Sequence, residues 1–444
     1  MKKLAPLLFK IIAVAMLLFT VAVVVGYVWI NKYLGSEAFR NTLSQTASKA
    51  LNVEGQFQDF HWSGLSVYSG GFTGRGNATS SFDRILIQNL HASINIAAAL
   101  RGIVEIDEFE VGQFHLSLKE TGPVPPPTSE TPAPTPVAPS PASSKFRVDA
   151  IRINEVRLDW PKDIAGGGSA AGIAVEMTNA EGGWNIEGHG GTLAYADYPI
   201  QKVDHFTMRL RPDRLYITRA ELRNGDQGTI KVSGGVGIVG NTDLDLNVDI
   251  ADFPVSPLLP SDWRARLSGN ANSSLHLTRP DAPNAPWKVE GQGHLDGAVL
   301  EGLPALDQIA TFTQTTDYRT LKLQTVSTDY VFTPAQWDFT NIAIEAPGLI
   351  RVEGQLTKAG DALAGKLNLG VPPAKIAIIP GAQTEIFTET RGAYVWTPVV
   401  IGGTVESPTE DITPRLLAAA AQVLKKMAQP VLDKTMDLFN QLLH

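Results

Sequence analysis

The 444-residue chain contains no cysteine, so it can hold neither disulfides nor thiolate metal sites. Such a chain suits an oxidising compartment that does not rely on disulfides as well as it suits the cytosol. Its eight histidines, His61, His91, His115, His189, His205, His276, His294 and His444, never stand at i, i+4 or within an H-E-x-x-H. No helical zinc pair is available. A G-x-S-x-G is also missing, and with it the nucleophile elbow of a hydrolase. Basic residues are scattered rather than clustered, and the net charge is −8, which excludes the electrostatic footprint of a nucleic-acid binder. Acidic residues such as Asp243, Asp245 and Asp249 alternate with apolar ones, the pattern of a solvated strand face rather than of a carboxylate pair. These absences point away from an enzyme, and no cofactor or metal is expected.

Long apolar runs are absent too, with one exception. Residues 11–30, IIAVAMLLFTVAVVVGYVWI, are charge-free and long enough to cross a bilayer as a helix. Lys2, Lys3 and Lys10 precede the run, and Tyr27, Trp29 and Tyr33 cluster at its far end like an interfacial aromatic belt. The lysines keep the N-terminus cytoplasmic and put the remainder of the chain outside. A cleaved signal peptide would carry a shorter apolar core and a small-x-small site. Only Ser36-Glu37-Ala38 offers one, so an uncleaved, single-pass anchor is the expectation.

Past the anchor, SEAFRNTLSQTASKAL reads as a short helix capped by Ser36, with Phe39, Leu43, Ala47 and Ala50 at helical spacing. From about residue 53 the period becomes two: Val104 and Ile106, Phe109 and Val111, then Leu116 and Leu118 alternate with polar residues, as in strands with one buried face. Residues 121–144 contain nine prolines and no large apolar residue except valine. That composition predicts an extended linker, about 75 Å long if wholly polyproline II.

Beyond it the chain repeats itself. Trp184–Gly190, WNIEGHG, returns as WKVEGQG at Trp287–Gly293, and Gly228–Val236, GTIKVSGGV, returns as GLIRVEGQL at Gly348–Leu356. The second pair keeps an offset of 120 through Gly240 and Gly360. The repeat unit is a run of strands separated by glycine turns, the sign of an elongated β structure. One of these turns carries G-x-G-x-x-G at Gly235, Gly237 and Gly240, but Leu244, Leu246, Val248 and Ile250 follow with period two. A dinucleotide fingerprint needs a helix there. The matching turn, Gly360–Leu367, has P-loop spacing, yet Leu367 occupies the place of the Mg²⁺-binding Ser or Thr, and Leu367, Leu369 and Val371 again alternate. Both motifs read as hairpin turns.

The C-terminus changes character. From Pro414, Leu416, Ala420, Val423, Met427, Val431, Leu438 and Leu442 form one helical stripe, which Pro430 should kink. This amphipathic helix either covers the open end of the β structure, where an unpaired edge would aggregate, or touches a second membrane or a partner.

In these features the chain resembles the AsmA-like proteins of double-membrane bacterial envelopes. The N-terminal part carries a single anchor, a short helix, W-S-G-L at Trp62–Leu65 and L-R-G-I-V-E-I-D-E-F-E-V at Leu100–Val111. The C-terminal part adds Gly297–Ala310, V-E-G-Q-L at Val352–Leu356 and I-G-G-T-V-E-S-P at Ile401–Pro408. The resemblance implies a curved, groove-like β-sheet on an inner-membrane anchor, and a role in moving phospholipid between membranes and in outer-membrane assembly. This chain is shorter than the best-known members and carries the proline-rich segment.

The expected architecture is mainly β: an N-terminal transmembrane helix, an elongated, curved, repetitive sheet and a C-terminal amphipathic helix. Its segments are a cytoplasmic stub and anchor (1–35), a membrane-proximal helix with a first β module (36–120), the linker (121–144), the repetitive β-groove domain (145–407) and the amphipathic helix (408–444). The expected role is non-enzymatic binding or conduction of phospholipid by a periplasmic β-groove. Its groove candidates are Ile230, Val232, Leu244, Leu246, Val248, Ile250, Ile350, Val352, Leu367 and Leu369. The partners are the inner membrane, phospholipid and an outer membrane or outer-membrane protein. The alternative is a structural or assembly factor with a closed β core, because a sheet face has the same alternation whether protein or acyl chains cover it.

Overall fold

The computed structural model describes residues 37–63, 66–78, 80–95, 104–120, 146–164, 166–196, 198–238, 243–259, 261–282, 285–302, 310, 316–377, 379, 381–419 and 421–422. The apolar run 11–30, the proline-rich stretch 121–144 and the tail beyond residue 422 lie outside them. Among the described residues no helix is long and apolar enough to cross a membrane. They form 23 strands and few, mostly short, helices, so the protein is mainly β. The chain divides into two compact units: Met1–Asp226, Ile230–Leu246 and Arg279–Ala285 make the first, and Gln227–Thr229, Asn247–Thr278 and Pro286–His444 the second.

The first unit opens with helix α1 (Glu37–Leu51). Glu37 in its first turn and Lys49 in its last complement the helix dipole. Leu43, Ala47 and Leu51, one turn apart, are buried against strands β1 (Val53–Phe57), β3 (Ser66–Gly76) and β4 (Phe82–Ile94) in a core that includes Phe57, Phe72, Ile85 and Ile87. Phe39 and Ala50 belong to the same expected stripe, but their side chains lie outside the described set. The helix also satisfies the edge it covers: Ser48 Oγ accepts from the Gly55 amide at 3.1 Å and Ser44 Oγ from the Phe57 amide at 2.9 Å. An edge strand's unpaired donors are thereby removed.

From β3 the order runs through β4, β5 (Val104–Leu118), β6 (Phe146–Trp160), β7 (Gly168–Ala180), β8 (Gly183–His189), β10 (Gln201–Leu210) and β11 (Arg214–Arg223), each hydrogen-bonded to the next. All these pairs are antiparallel except β5 and β6, which run parallel from Val104↔Phe146 to Ser117↔Asp159. Parallel neighbours need a crossover of a dozen or more residues, and residues 119–145 supply it. The segments before and after the proline-rich stretch therefore share one sheet and one core. The division between compact units falls instead within residues 226–286.

In the second unit β14 (Leu267–Arg279), β15 (Lys288–Glu301), β17 (Thr325–Phe332), β18 (Gln336–Ala346), β19 (Ile350–Ala359), β20 (Ala362–Val371) and β22 (Tyr394–Gly403) pair antiparallel in that order. Two local cores sit at one end of these strands. One gathers Ala298, Tyr318, Leu321, Leu323 and Ala346; the other gathers Val371, Ile376, Ile386, Phe387, Val395 and Ala419. A short helix, Pro373–Ile376, and a π turn, Ala382–Ile386, supply part of the second core.

The two repeats share their backbone as well as their sequence. Gly228 and Gly348 have φ of +80° and +72°, and Gly234 and Gly354 have +131° and +149°. A Cβ on Gly234 would lie 2.1 Å from the Asp245 carbonyl oxygen, and one on Gly354 would lie 2.3 Å from that of Lys366. Only glycine permits both the dihedral and the approach.

The expected C-terminal helix starts at residue 412, two residues before Pro414, while Pro408–Glu410 ahead of it form a strand, β23, paired with Ile401–Gly403. Residues 412–419 then lie over β22. Asp411 accepts from the Val400 amide at 2.8 Å, Arg415 donates to the Pro398 carbonyl at 2.6 Å and to Thr397 Oγ1 at 2.7 Å, and Leu416 packs into the second local core.

Candidate functional site

The nucleotide-like turns are hairpins. Strand β12 (Thr229–Gly237) precedes Gly240 and strand β13 (Leu244–Pro254) follows it, with the Gly237 amide bonded to the Asp243 carbonyl at 2.9 Å. At the second turn Ala359 pairs with Ala362 across Gly360 and Asp361. Neither turn opens a helix, so neither offers an N-terminus to a phosphate.

One arrangement on the first unit imitates a catalytic triad. Ser117 Oγ lies 3.3 Å from His115 Nε2, and Asp159 Oδ2 lies 2.6 Å from the same nitrogen. A relay needs the hydroxyl and the carboxylate on opposite ring nitrogens, so this is a cross-strand hydrogen bond between His115 and Asp159 on a polar face. Burial pushes the Asp159 carboxyl up, but the Arg157 guanidinium and His115 more than offset it and hold it below its ordinary value. Among the described residues no three His, Asp or Glu side chains stand close enough to share a metal ion.

What the strands do build is an apolar face. In the second unit the register assembles it row by row. Ile344 stands opposite Val352, and Val352 opposite Leu369. Gly354 stands between Ile342 and Leu367, and Leu367 opposite Val399. Phe339 faces Leu356, followed by Gly365 and Ile401. The outermost row is Phe332, Trp337, Lys358 and Leu363. The opposite face of the same strands is charged: Arg351 pairs with Glu353 at 2.8 Å, Arg391 reaches Glu353 at 3.3 Å, and Thr357 bonds Asp338 at 2.8 Å.

Burial along this face is graded. At the inner end Ile350 packs against the Tyr318 core and Leu369 against the Phe387 core. Tyr318 is 2% exposed, and burial pushes its phenol up to about 12. Further out, Ile342, Leu356, Leu363 and Leu367 are half-buried and, among the described residues, belong to none of the buried clusters.

All ten sequence-derived candidates are half-buried. Ile350, Val352, Leu367 and Leu369 come together on this face through β19 and β20. Leu244, Leu246, Val248 and Ile250 alternate along β13 with exposed Asp245, Asn247 and Asp249, and Ile230 and Val232 lie on β12. Ile250 borders an open cleft of about 430 Å³ whose other walls are mostly polar, including Asn272, Gln292, His294, Asp329 and Asn341. That lining suits water better than acyl chains. A cleft of about 350 Å³ in the first unit has mixed walls, with Arg152, Glu176, Glu187, His189 and His205 beside Ile153, Val175 and Phe206.

The aromatic part of the face escaped sequence reasoning. Tyr330 and Phe332 stack at 4.7 Å between ring centroids, Phe332 meets Trp337 at 5.3 Å and Phe339 at 5.4 Å, and Lys358 Nζ lies 4.8 Å from the Trp337 ring centre. Its signal was present: Tyr330/Phe332 and Trp337/Phe339 each hold period two on either side of the turn at 333–335. No protein-family model matches the chain, and neither a curated protein nor a solved structure matches it.

Proposed function

We propose that the chain is an AsmA-like protein, anchored in a bacterial inner membrane with its bulk in the periplasm, that binds or conducts phospholipid along an apolar β-groove. The observation that carries this reading is the half-buried row structure of the second unit. Consecutive antiparallel strands present Ile342, Val352, Leu356, Leu363 and Leu367 on one face and charged residues on the other. An apolar surface of this kind favours cover, at about 25 cal/mol per Å² removed from water, and acyl chains fit a surface made of parallel rows of aliphatic side chains. The ion-pair ladder on the opposite face keeps that side in water. The membrane anchor rests on residues 11–30, and the inter-membrane role rests on the resemblance.

A second reading, a structural or assembly factor with a closed core, is favoured by the first unit, where α1 and the strands bury their apolar side chains in one core. Mass spectrometry of lipid extracted from the purified full-length protein tests the proposal. Wild-type protein should carry phospholipid, and Leu367→Asp should carry less while melting cooperatively near the wild-type temperature. A lipid-free wild-type protein, or unfolding of Leu367→Asp, would favour the closed core.

A further inference from the structure

The outermost row of the second unit's apolar face contains a cation where the pattern calls for an apolar residue. Ile350, Val352, Gly354, Leu356 and Lys358 follow one another at period two along β19, so the lysine stands on the apolar side of the strand. Its register partners on that side are Trp337 and Leu363. No carboxylate among the described residues makes an ion pair with it. Its ammonium rests over the Trp337 ring at 4.8 Å, beside the Phe332, Tyr330 and Phe339 cluster. Trp337 is 43% exposed.

The repeat shows that the fold does not require this lysine. At the offset of 120, Lys358 corresponds to Ile238, which is 9% exposed and packed with Leu210 and Leu215. One copy of the unit closes this position with aliphatic side chains; the other places a charge there and leaves it half-buried. An ammonium held on an indole face is fixed by cation–π attraction, and its outward N–H donors remain unused. Its methylene stem lies along the apolar surface while the head reaches the rim.

We propose that Lys358, on its Trp337 platform, is a head-group site: it takes the phosphate of an anionic phospholipid whose acyl chains run inward over Leu363, Leu356 and Ile401. This rests on the phospholipid reading above and adds a specificity to it. Lysine serves phosphate as a compact point charge. The rim supplies one uncompensated positive charge to a ligand whose remainder is apolar, so a lipid of net negative charge gains over a zwitterionic one, whose own ammonium competes for the same phosphate. Moving two residues along a strand covers about 7 Å, which places Leu356 and Ile401 within reach of the first acyl carbons.

The test uses detergent-solubilised full-length protein equilibrated with vesicles of equal phosphatidylglycerol and phosphatidylethanolamine, with bound lipid quantified by mass spectrometry. Wild-type protein should enrich phosphatidylglycerol. Lys358→Ile, which copies Ile238, should lower the bound phosphatidylglycerol-to-phosphatidylethanolamine ratio about three- to tenfold, within the range for one charge-assisted contact. Lys358→Arg should restore the preference, and Trp337→Leu should weaken it. An unchanged ratio in a folded Lys358→Ile protein overturns the proposal, as does displacement of phosphatidylglycerol by inorganic phosphate, which would make this a site for the free anion. Wild-type protein that takes up neither lipid refutes the phospholipid reading itself.

Discussion

Two regions of this chain have the same alternating sequence and opposite cover. In the first unit, Phe72, Ile85 and Ile87 share one strand face and are almost wholly buried, in one core with Leu43, Ala47 and Leu51 of α1. In the second unit, Ile342, Leu356 and Leu367 alternate as cleanly and stay half-buried. Period two therefore specifies which face is apolar, not what lies on it. Cover depends on a separate element with its own apolar stripe, and α1 carries one. Outer strands show the complementary pattern: serine hydroxyls of α1 take the Gly55 and Phe57 amides of β1, and Asp411 and Arg415 take the Val400 amide and the Pro398 carbonyl of β22. Side chains therefore reach the backbone of outer strands in both units, while faces are treated differently.

The largest expected effect is a direct attempt to break this contrast. Ile85→Asp puts a carboxylate into the sealed core without partner or water and should cost about 4 kcal/mol or more. Leu367→Asp should cost under about 1.5 kcal/mol, because water reaches the half-buried site. Urea unfolding of both variants checks the difference, and equal costs would mean that the two faces are equally sealed. Next in size is the glycine pair that sets the shape of each repeat. Gly354→Ala meets both a φ of +149° and the Lys366 carbonyl, for an expected loss of about 2–4 kcal/mol. Gly360→Ala, at φ +59° with nothing within 4 Å, should lose only about 1 kcal/mol.

Much of this organisation is legible in the sequence, and the rest has physical reasons for being hidden. Alternation from Val53 onwards gives the strands, and the continuation of period two after Gly240 and Gly360 exposes both nucleotide-like turns as hairpins. The repeat is written in Gly228/Gly348 and Gly234/Gly354, because a positive φ beside a close backbone leaves glycine as the only choice. The parallel pairing of β5 on β6 is not legible: nothing local in Val104–Leu118 or Phe146–Trp160 encodes strand direction, and a proline-rich spacer is silent about where its ends meet. Neither is the role of Lys358, which in sequence is a surface lysine near a turn and acquires meaning only when the register sets it on Trp337.

The β5–β6 ladder sharpens what the proline-rich stretch must do. Its ends have to span the ladder's length, about 43 Å at roughly 3.3 Å per residue, which takes about 14 residues in polyproline II. Deleting about ten residues from 121–144 should leave stability within about 0.5 kcal/mol, whereas deleting about twenty should break the β6 register, seen as lost amide protection along Phe146–Trp160. Equal tolerance of both deletions would contradict the parallel pairing. The smallest effect concerns the polar face of the same ladder. Asp159 is held below its ordinary pKa in the folded state, so its contribution is present above the usual carboxylate range and fades as pH falls through the lowered value. Asp159→Asn should remove about 0.5–1 kcal/mol at neutral pH and flatten the acid limb of the stability profile. A limb with unchanged slope would show that the pair does not matter.

The absence of cysteine, the first fact of the sequence, is also of experimental use, because any thiol introduced into the chain is unique. The central claim is that acyl chains can lie on the second unit's apolar face and cannot enter the first unit's sealed core. The most direct measurement equilibrates full-length protein with a phospholipid bearing a photoactivatable group on its acyl chain, and maps the cross-linked residues against single-cysteine protection at Leu356, Leu367 and Ile85. Cross-links at Leu356 and Leu367, together with lipid-dependent protection of thiols there and an Ile85 thiol unreactive with or without lipid, are the predicted result. Cross-links confined to the charged face around Glu353 and Arg391, or shared equally with Ile85, would contradict it.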